Sequence, residues 1–304
     1  MTTPVWALSV SAGDADAVTR HQVAEAMRGW VAAGGCGVPL LTCHRAELYG
    51  MGEMPMMPAT RAIVDVPAVR HLFRVAAGME SAVVGEDEVL HQVRDALHGA
   101  RAAGAVDHRL VRLFEMASAT GRRARAGYPG SPLGLAEAAV AWLDERADLE
   151  RGRMLVVGAG RVGSALARAA SIKGAQLTIA SRDVMRASRL AALHRSDAVD
   201  LEAAASVVAD FDAVGIALAG PWPQLAGVRA ELPPVADLSA PSAMPDSVIS
   251  RTRDFLGIDQ LFTKGAPPPG YVEAGNTIVE DWVLRYAHWL SRRDALGQLR
   301  LVAS

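Results

Sequence analysis

The sequence predicts an α/β protein: a mixed α+β N-terminal half, a half built on a parallel sheet, and a C-terminal helix. Three observations predict it. The chain has 304 residues, where one domain ordinarily takes about 150. From Arg153 onward, short apolar runs alternate with helical stretches, the pattern of strands joined by crossover helices. A G-x-G-x-x-G turn directly follows the first of those runs. The expected parts span residues 1–150, 151–270 and 271–304.

In the first part, Val5 to Val10 reads as a strand. "AVTRHQVAEAMRGWVAAG" has apolar residues at helical spacing and ends on glycines that suit a C-cap. The cysteine-containing "LLTCHRAELYG" and the loop "MGEMPMMPAT" follow. "VPAVRHLFRVAAGMESAVVGEDEVLHQVRDALHGARAAG" reads as two helical stretches interrupted at Gly78 and Gly85. "DHRLVRLFEMASATGRRARAG" is a further helix, basic towards its C-terminal end as the helix dipole prefers. "YPGSPLG" is a turn-rich break before a short helix through Trp142 and Leu143.

In the second part, "MLVVGAG", "AQLTIASR", "FDAVGIAL" and "PPVADLS" are the strand-like runs. After the proline-rich "GAPPPG" comes the last helix, with Val279, Val283, Tyr286 and Leu290 on one face. That face either packs on the body of the chain or pairs with a second copy. A content of 51% hydrophobic and 21% charged residues is ordinary for a soluble globular protein. The net charge of −2 gives no global attraction to nucleic acid or anionic membrane, so any basic site is local. Two cysteines make no disulfide framework, which fits a reducing compartment. The N-terminus has no basic n-region, and no run reaches the roughly 18 apolar residues of a membrane span. A cytoplasmic protein is expected.

In "MLVVGAGRVGSALARAA", Gly158 permits the tight turn, Gly160 lets the backbone approach a pyrophosphate, and Gly163 lets helix pack closely on strand. The intervening Ala159, Arg161 and Val162 belong to the same turn and helix start, whose N–H groups favour an anion. A Rossmann-type dinucleotide domain is expected. Its second strand ends in Ser181-Arg182, where an acidic residue would hold the free ribose of NAD. A serine and an arginine suit the 2′-phosphate of NADP, against the plainer alternative of a solvated arginine at a strand end.

Cys43 admits three readings. It is a small buried residue, a metal ligand grouped with Cys36, His44 and His71, or a nucleophile. The spacing matches no usual zinc pattern, so no metal is expected. His44 and Arg45 favour a thiolate, and a thiol beside a reduced nicotinamide implies thioester formation followed by hydride transfer.

These residues carry a family resemblance. "LLTCHRAELYG" resembles the T-C-N-R-x-E-x-Y segment of the glutamyl-tRNA reductases, which begin tetrapyrrole (porphyrin) synthesis in plants and most bacteria. "HLFRVAAGMESAVVGEDEVLHQVRDAL" is similar to their H-L-x-R-V-x-x-G-x-x-S-x-x-x-G-E-x-Q-I-L-x-Q-V segment. "LFEMASATGRRAR", "VVGAGRVGSALA" through "IASRD", and "VADLSAPSAMPDSV" resemble the segments that follow. The resemblance implies a catalytic N-terminal domain, an NADPH domain and charged glutamyl-tRNA as substrate. It implies that Cys43 attacks the ester carbonyl and that NADPH reduces the thioester to glutamate-1-semialdehyde. It also implies that His71 is a general acid or base and that Arg45 binds the γ-carboxylate. Thr42 and Glu47 would help line the substrate site with Glu88 and Gln92, Ser81 and Glu86 would hold the amino end or order the pocket, and a downstream aminomutase would take the product. The alternatives are a satisfied helix histidine for His71 and a solvated charge for Glu86.

The chain departs from the family pattern in four places. "SVSAGDADAV" replaces H-x-x-A-P, His44 replaces asparagine, and Glu88 replaces glutamine. The sequence given stops at Ser304, early in the helix that leads the family into its dimerisation domain. That domain is therefore expected to be absent, with the oligomeric state open. Two other readings stay in play: a diverged reductase for another aminoacyl-tRNA or acyl thioester, and a catalytically silent paralogue that binds nucleotide or tRNA. Arg109, Arg112, Arg122, Arg123 and Arg125 share one helical segment, either to pair with tRNA phosphates or to form a solvated face.

Overall fold

Period-2 alternation in the first 64 residues builds an antiparallel sheet in the computed structural model of the chain, which describes residues 4–80, 87–104, 106–126, 134–262 and 269–302. The chain forms two compact units, Met1–Pro132 with Gly265–Ser304, and Leu133–Lys264.

In the first unit, β1 (Val5–Ser11), β2 (Gly37–Leu41), β3 (Arg45–Met51) and β4 (Arg61–Val64) lie in the order β2-β3-β1-β4. Helix α1 (Ala17–Ala32) starts at Asp16, whose carboxylate accepts the Thr19 N–H at 2.7 Å. It covers one face of the sheet, where Trp6, Leu8, Val10, Ala46 and Leu48 meet Val23 and Met27. The alternate strand residues Val5, Ala7, Val38, Leu40 and Tyr49 enter the core on the other face. That core is completed by α2 (Val66–Ala76), α3 (Asp87–Ala102) and α4 (His108–Ala126). Gly78, at φ +73°, ends the α2 segment as its sequence implied, whereas Gly85 lies outside the described residues.

The second unit starts with α5 (Leu135–Ala147) and then alternates: β5 (Arg153–Val157), α6 (Arg161–Lys173), β6 (Gln176–Ala180), α7 (Val184–His194), β7 (Asp197–Val199), α8 (Leu201–Val207), β8 (Ala213–Ile216) and β9 (Val235–Asp237). Short α9 (Asp246–Ile249), β10 (Phe255–Gly257) and α10 (Ile258–Phe262) complete it. The six strands are parallel in the order β10-β9-β8-β5-β6-β7. The order reverses direction at β5, so the β5–α6 turn lies at the switch point where such sheets bind ligands.

The last helix, α11 (Pro269–Val302), returns to the first unit. Val279, Val283 and Tyr286 are buried in its core and Leu290 is partly buried against it, so this apolar face packs on α2 and α4 of its own chain. Arg70 grips Glu280 through two contacts of 2.5 and 3.0 Å, Arg74 reaches Asn276 at 2.6 Å, and Tyr286 Oη donates to the Arg109 carbonyl at 3.1 Å.

The compact units divide the chain differently from boundaries at 150 and 270. Helix α5 lays Leu135, Ala139, Val140 and Leu143 inward and packs on α6 and β8, so it belongs with the parallel sheet. Residues 271–304 belong with the first unit rather than standing apart. Among the described residues no helix is long and apolar enough to cross a membrane.

Candidate active site

Thr42, Cys43 and His44 form the turn between β2 and β3. Thr42 N–H donates to the Arg45 carbonyl at 2.9 Å, and the His44 and Arg45 N–H groups both donate to Thr42 Oγ1 at 3.2 Å. The threonine side chain therefore braces the turn from inside. Cys43 is half-buried there, and His44 is buried. Arg20, buried on α1, donates to the Cys43 carbonyl at 2.9 Å and to the Ala15 carbonyl at 2.7 Å. Ala12 N–H donates to the His44 carbonyl at 2.8 Å. The turn is thus pinned to the loop between β1 and α1.

Alternation along β3 sends Arg45, Glu47 and Tyr49 to one face, and the register with β1 sets Ser9 opposite Glu47. Glu47 is completely buried and gathers four groups. Its Oε1 meets His71 Nε2 at 2.8 Å, Arg45 Nη1 at 3.2 Å and Ser9 Oγ at 3.2 Å, and its Oε2 accepts from Tyr49 Oη at 2.6 Å. Burial alone would raise the Glu47 pKa. The charges of His71 and Arg45, with hydrogen bonds from His71 and Tyr49, outweigh it and hold the carboxyl well below its ordinary range. Burial and the Glu47 charge push the Tyr49 phenol well above its usual value. An ionised carboxylate only accepts, so Nε2 of His71 is the donor in this contact. Arg45 is 2% exposed, and its second terminal nitrogen donates to the Glu80 carbonyl. Its fork, expected to take a substrate carboxylate, is occupied within the protein.

At the β5–α6 turn, Gly158 has φ +117°, and a Cβ there would lie 2.1 Å from the Ala217 carbonyl oxygen. A Cβ on Gly163 would lie 1.8 Å from the Gly158 oxygen, while one on Gly160 would meet nothing within 4 Å. The two glycines that must be bare are packed, and the one at the helix N-cap faces open space. Ala159 and Val162 are half-buried and Arg161 is exposed. A helix N-terminus with an uncrowded glycine at its cap, at the switch point, fits the pyrophosphate of a dinucleotide. Beyond β6, Ser181 is buried with its Oγ accepting the Asp183 N–H at 3.2 Å, and Arg182 is exposed. At the end of β9, buried Asp237 accepts the Ser239 and Ala243 N–H groups at 2.9 and 2.8 Å and the Ser242 hydroxyl at 2.7 Å, fixing the "VADLSAPSAMPDSV" loop.

Of the other expected residues, Gln92 is half-buried on α3. Ser81 and Glu86 lie outside the described residues, as does the Glu88 side chain. Cys36 is exposed, and among the described residues no three His, Cys, Asp or Glu side chains gather to hold a metal. The five arginines of α4 separate. Arg109 forks Asp107 at 2.6–3.2 Å and Arg125 donates to the Ala76 carbonyl at 2.8 Å, whereas Arg112, Arg122 and Arg123 are exposed. Sequence reasoning missed Ser9, Arg20 and the role of Tyr49. Tyr49 was readable as the next inward residue after Glu47, but Ser9 and Arg20 enter through register and folding.

Residues 8–127 match the family model for the glutamyl-tRNAGlu reductase N-terminal domain, and residues 141–241 match the model for shikimate/quinate 5-dehydrogenase. Glutamyl-tRNA reductase of Halobacterium salinarum is 38% identical over 188 residues, 56% of this chain and 42% of that protein. Glutamyl-tRNA reductase 2 of a Nocardioides species is 32% identical over 306 residues, 86% of this chain and 67% of that protein. This chain belongs to the glutamyl-tRNA reductase family. The solved glutamyl-tRNA reductase from Methanopyrus kandleri aligns over 100% of this chain and 83% of its own, with a TM-score of 0.54 and 25% identity. The matches span 42–67% of the two curated glutamyl-tRNA reductases' own length. The parallel-sheet unit of this glutamyl-tRNA reductase family member is an NAD(P)-binding Rossmann-type domain of the kind seen in shikimate dehydrogenases.

Proposed function

We propose that this chain carries out the NADPH-dependent reduction of glutamyl-tRNA to glutamate-1-semialdehyde. The observation that supports it most is the braced turn that holds a half-buried Cys43 two residues from Arg45, in a member of this family. The Cys43 thiolate bonds to the ester carbonyl carbon, and the C–O bond to the tRNA ribose breaks, leaving a thioester. The Arg45 guanidinium favours the thiolate. The departing ribose oxygen takes a proton from Nδ1 of His71, whose ring Glu47 holds in place through Nε2. Thr42 keeps the turn in shape, and Ser81, Glu86, Glu88 and Gln92 complete the substrate pocket. Backbone N–H groups at Gly160 and Arg161 hold the cofactor pyrophosphate, and Ser181 and Arg182 hold its 2′-phosphate. A bound NADPH supplies the hydride with which the acyl group leaves Cys43 as an aldehyde. Exposed Arg112, Arg122 and Arg123 pair with tRNA phosphates.

Intact-mass measurement tests this reading. Glutamyl-tRNA without NADPH should add one glutamyl group, absent in Cys43→Ser and cleared when NADPH is added. No adduct on the wild type would refute it. One observation favours a second reading, a reductase for another aminoacyl-tRNA or acyl thioester: the Arg45 fork is already occupied by Glu47 and the Glu80 carbonyl. A panel of charged tRNAs separates the two.

A further inference from the structure

We propose that Asp14 selects acyl donors with a free amine by binding the α-ammonium of the aminoacyl group presented to Cys43. The inference rests on the thioester chemistry proposed above and adds a carboxylate on the β1–α1 loop that reads the substrate amine. In any aminoacyl ester the ammonium stands one carbon from the carbonyl under attack. Its receptor must therefore lie beside the nucleophile, whatever the amino-acid side chain.

Asp14 lies in the loop between β1 and α1, and that loop is tied to the Cys43 turn at two points. Ala12 N–H donates to the His44 carbonyl at 2.8 Å, and Arg20 spans the Ala15 and Cys43 carbonyls at 2.7 and 2.9 Å. Ser11 anchors Asp14 by its N–H at 2.9 Å and its hydroxyl at 2.6 Å, and Ser11 pairs in register with Arg45. Both anchoring bonds fall on Oδ2, so Oδ1 keeps its acceptor capacity. The Ser11 hydroxyl, against some burial, and the Ser11 N–H lower the Asp14 pKa, and Arg61 and His71 add to the effect. The carboxylate is therefore ionised where it is needed.

Among the described residues, two further carboxylates, Glu47 and Glu80, are poorly suited. Glu47 is completely buried among four groups, and Glu80 is engaged by Arg74. Asp14 is exposed, so an ammonium arriving there displaces water rather than a protein partner. The residue also lies within "SVSAGDADAV", the segment that departs from the family's H-x-x-A-P pattern.

The test uses two acyl donors, the N-acetylcysteamine thioesters of glutamate and of N-acetylglutamate, which differ in the α-ammonium. Cys43 acylation is followed by intact mass, with iodoacetamide alkylation as a control for thiol reactivity. Asp14→Asn keeps an oxygen for Ser11 but loses the charge. It should slow acylation by the glutamyl donor by about 10- to 100-fold, the range of one charge-assisted hydrogen bond. Acylation by the N-acetyl donor and alkylation should stay unchanged. Equal slowing with both donors would make Asp14 a brace of the loop, and no slowing with either would remove its role; each overturns the inference while leaving the thioester chemistry standing. A wild-type protein that neither donor acylates would remove that chemistry, and this inference with it.

Discussion

Replacing Glu47 by glutamine removes one negative charge from a completely buried position while nearly preserving its shape. The amide oxygen can still face Ser9, Arg45 and His71, and Tyr49 Oη can turn from donating to accepting at the amide nitrogen. What the substitution removes is the counter-charge of Arg45, itself 2% exposed. Breaking a buried ion pair from one side costs about 3–5 kcal/mol, and the retained hydrogen bonds put Glu47→Gln near the lower end. For a unit of roughly 150–250 residues, 1 kcal/mol moves the midpoint by about 2–4 °C, so the first unit should melt about 6–12 °C lower. Scanning calorimetry measures this. Adding Arg45→Met removes the stranded cation and should recover at least half of the loss. A single variant melting within about 2 °C of wild type, or a double variant no better than the single, would refute the ion-pair account.

Three further outcomes follow from the same structure. Gly163→Ala drives a Cβ into the Gly158 carbonyl and should destabilise the second unit by about 1–3 kcal/mol, whereas Gly160→Ala meets no atom, should leave the melting temperature unchanged, and should weaken NADPH binding by about tenfold in fluorescence titration. Arg182→Ala should raise the Kd for NADPH and leave that for NADH unchanged; equal effects on both would remove its assignment to the 2′-phosphate. The folded pKa of Glu47 lies below its unfolded value, so its contribution to stability is complete above about pH 4.3 and is lost as the pH falls towards the folded value. Urea titrations from pH 7 to 3 should show this acid loss in the wild type and a flatter profile in Glu47→Gln.

Several features of this protein are local and could be read directly. The glycines at 158, 160 and 163 act within one turn, so their pattern identifies the turn without knowledge of the rest of the chain. Strand–helix alternation from Arg153 onward implies a parallel sheet, because a parallel strand must be reached by a crossover. Helical spacing marked Val279, Val283 and Tyr286 as one apolar face. Tertiary structure alone decided what covers that face, since an apolar stripe carries no label for its partner.

The same division runs through the candidate site. Strand alternation sets Arg45, Glu47 and Tyr49 on one side, and that much follows from residue order along β3. The network exists only because strand register brings Ser9 across from Glu47 and α2 brings in His71, and neither follows from spacing along the chain. Five arginines in one segment looked alike, and packing turned Arg109 and Arg125 to internal partners while leaving Arg112, Arg122 and Arg123 in solvent. Chain order determined which groups are present and which local turns they make. The fold decided which charges meet out of water, because burial and pairing depend on distances that only the packed chain sets.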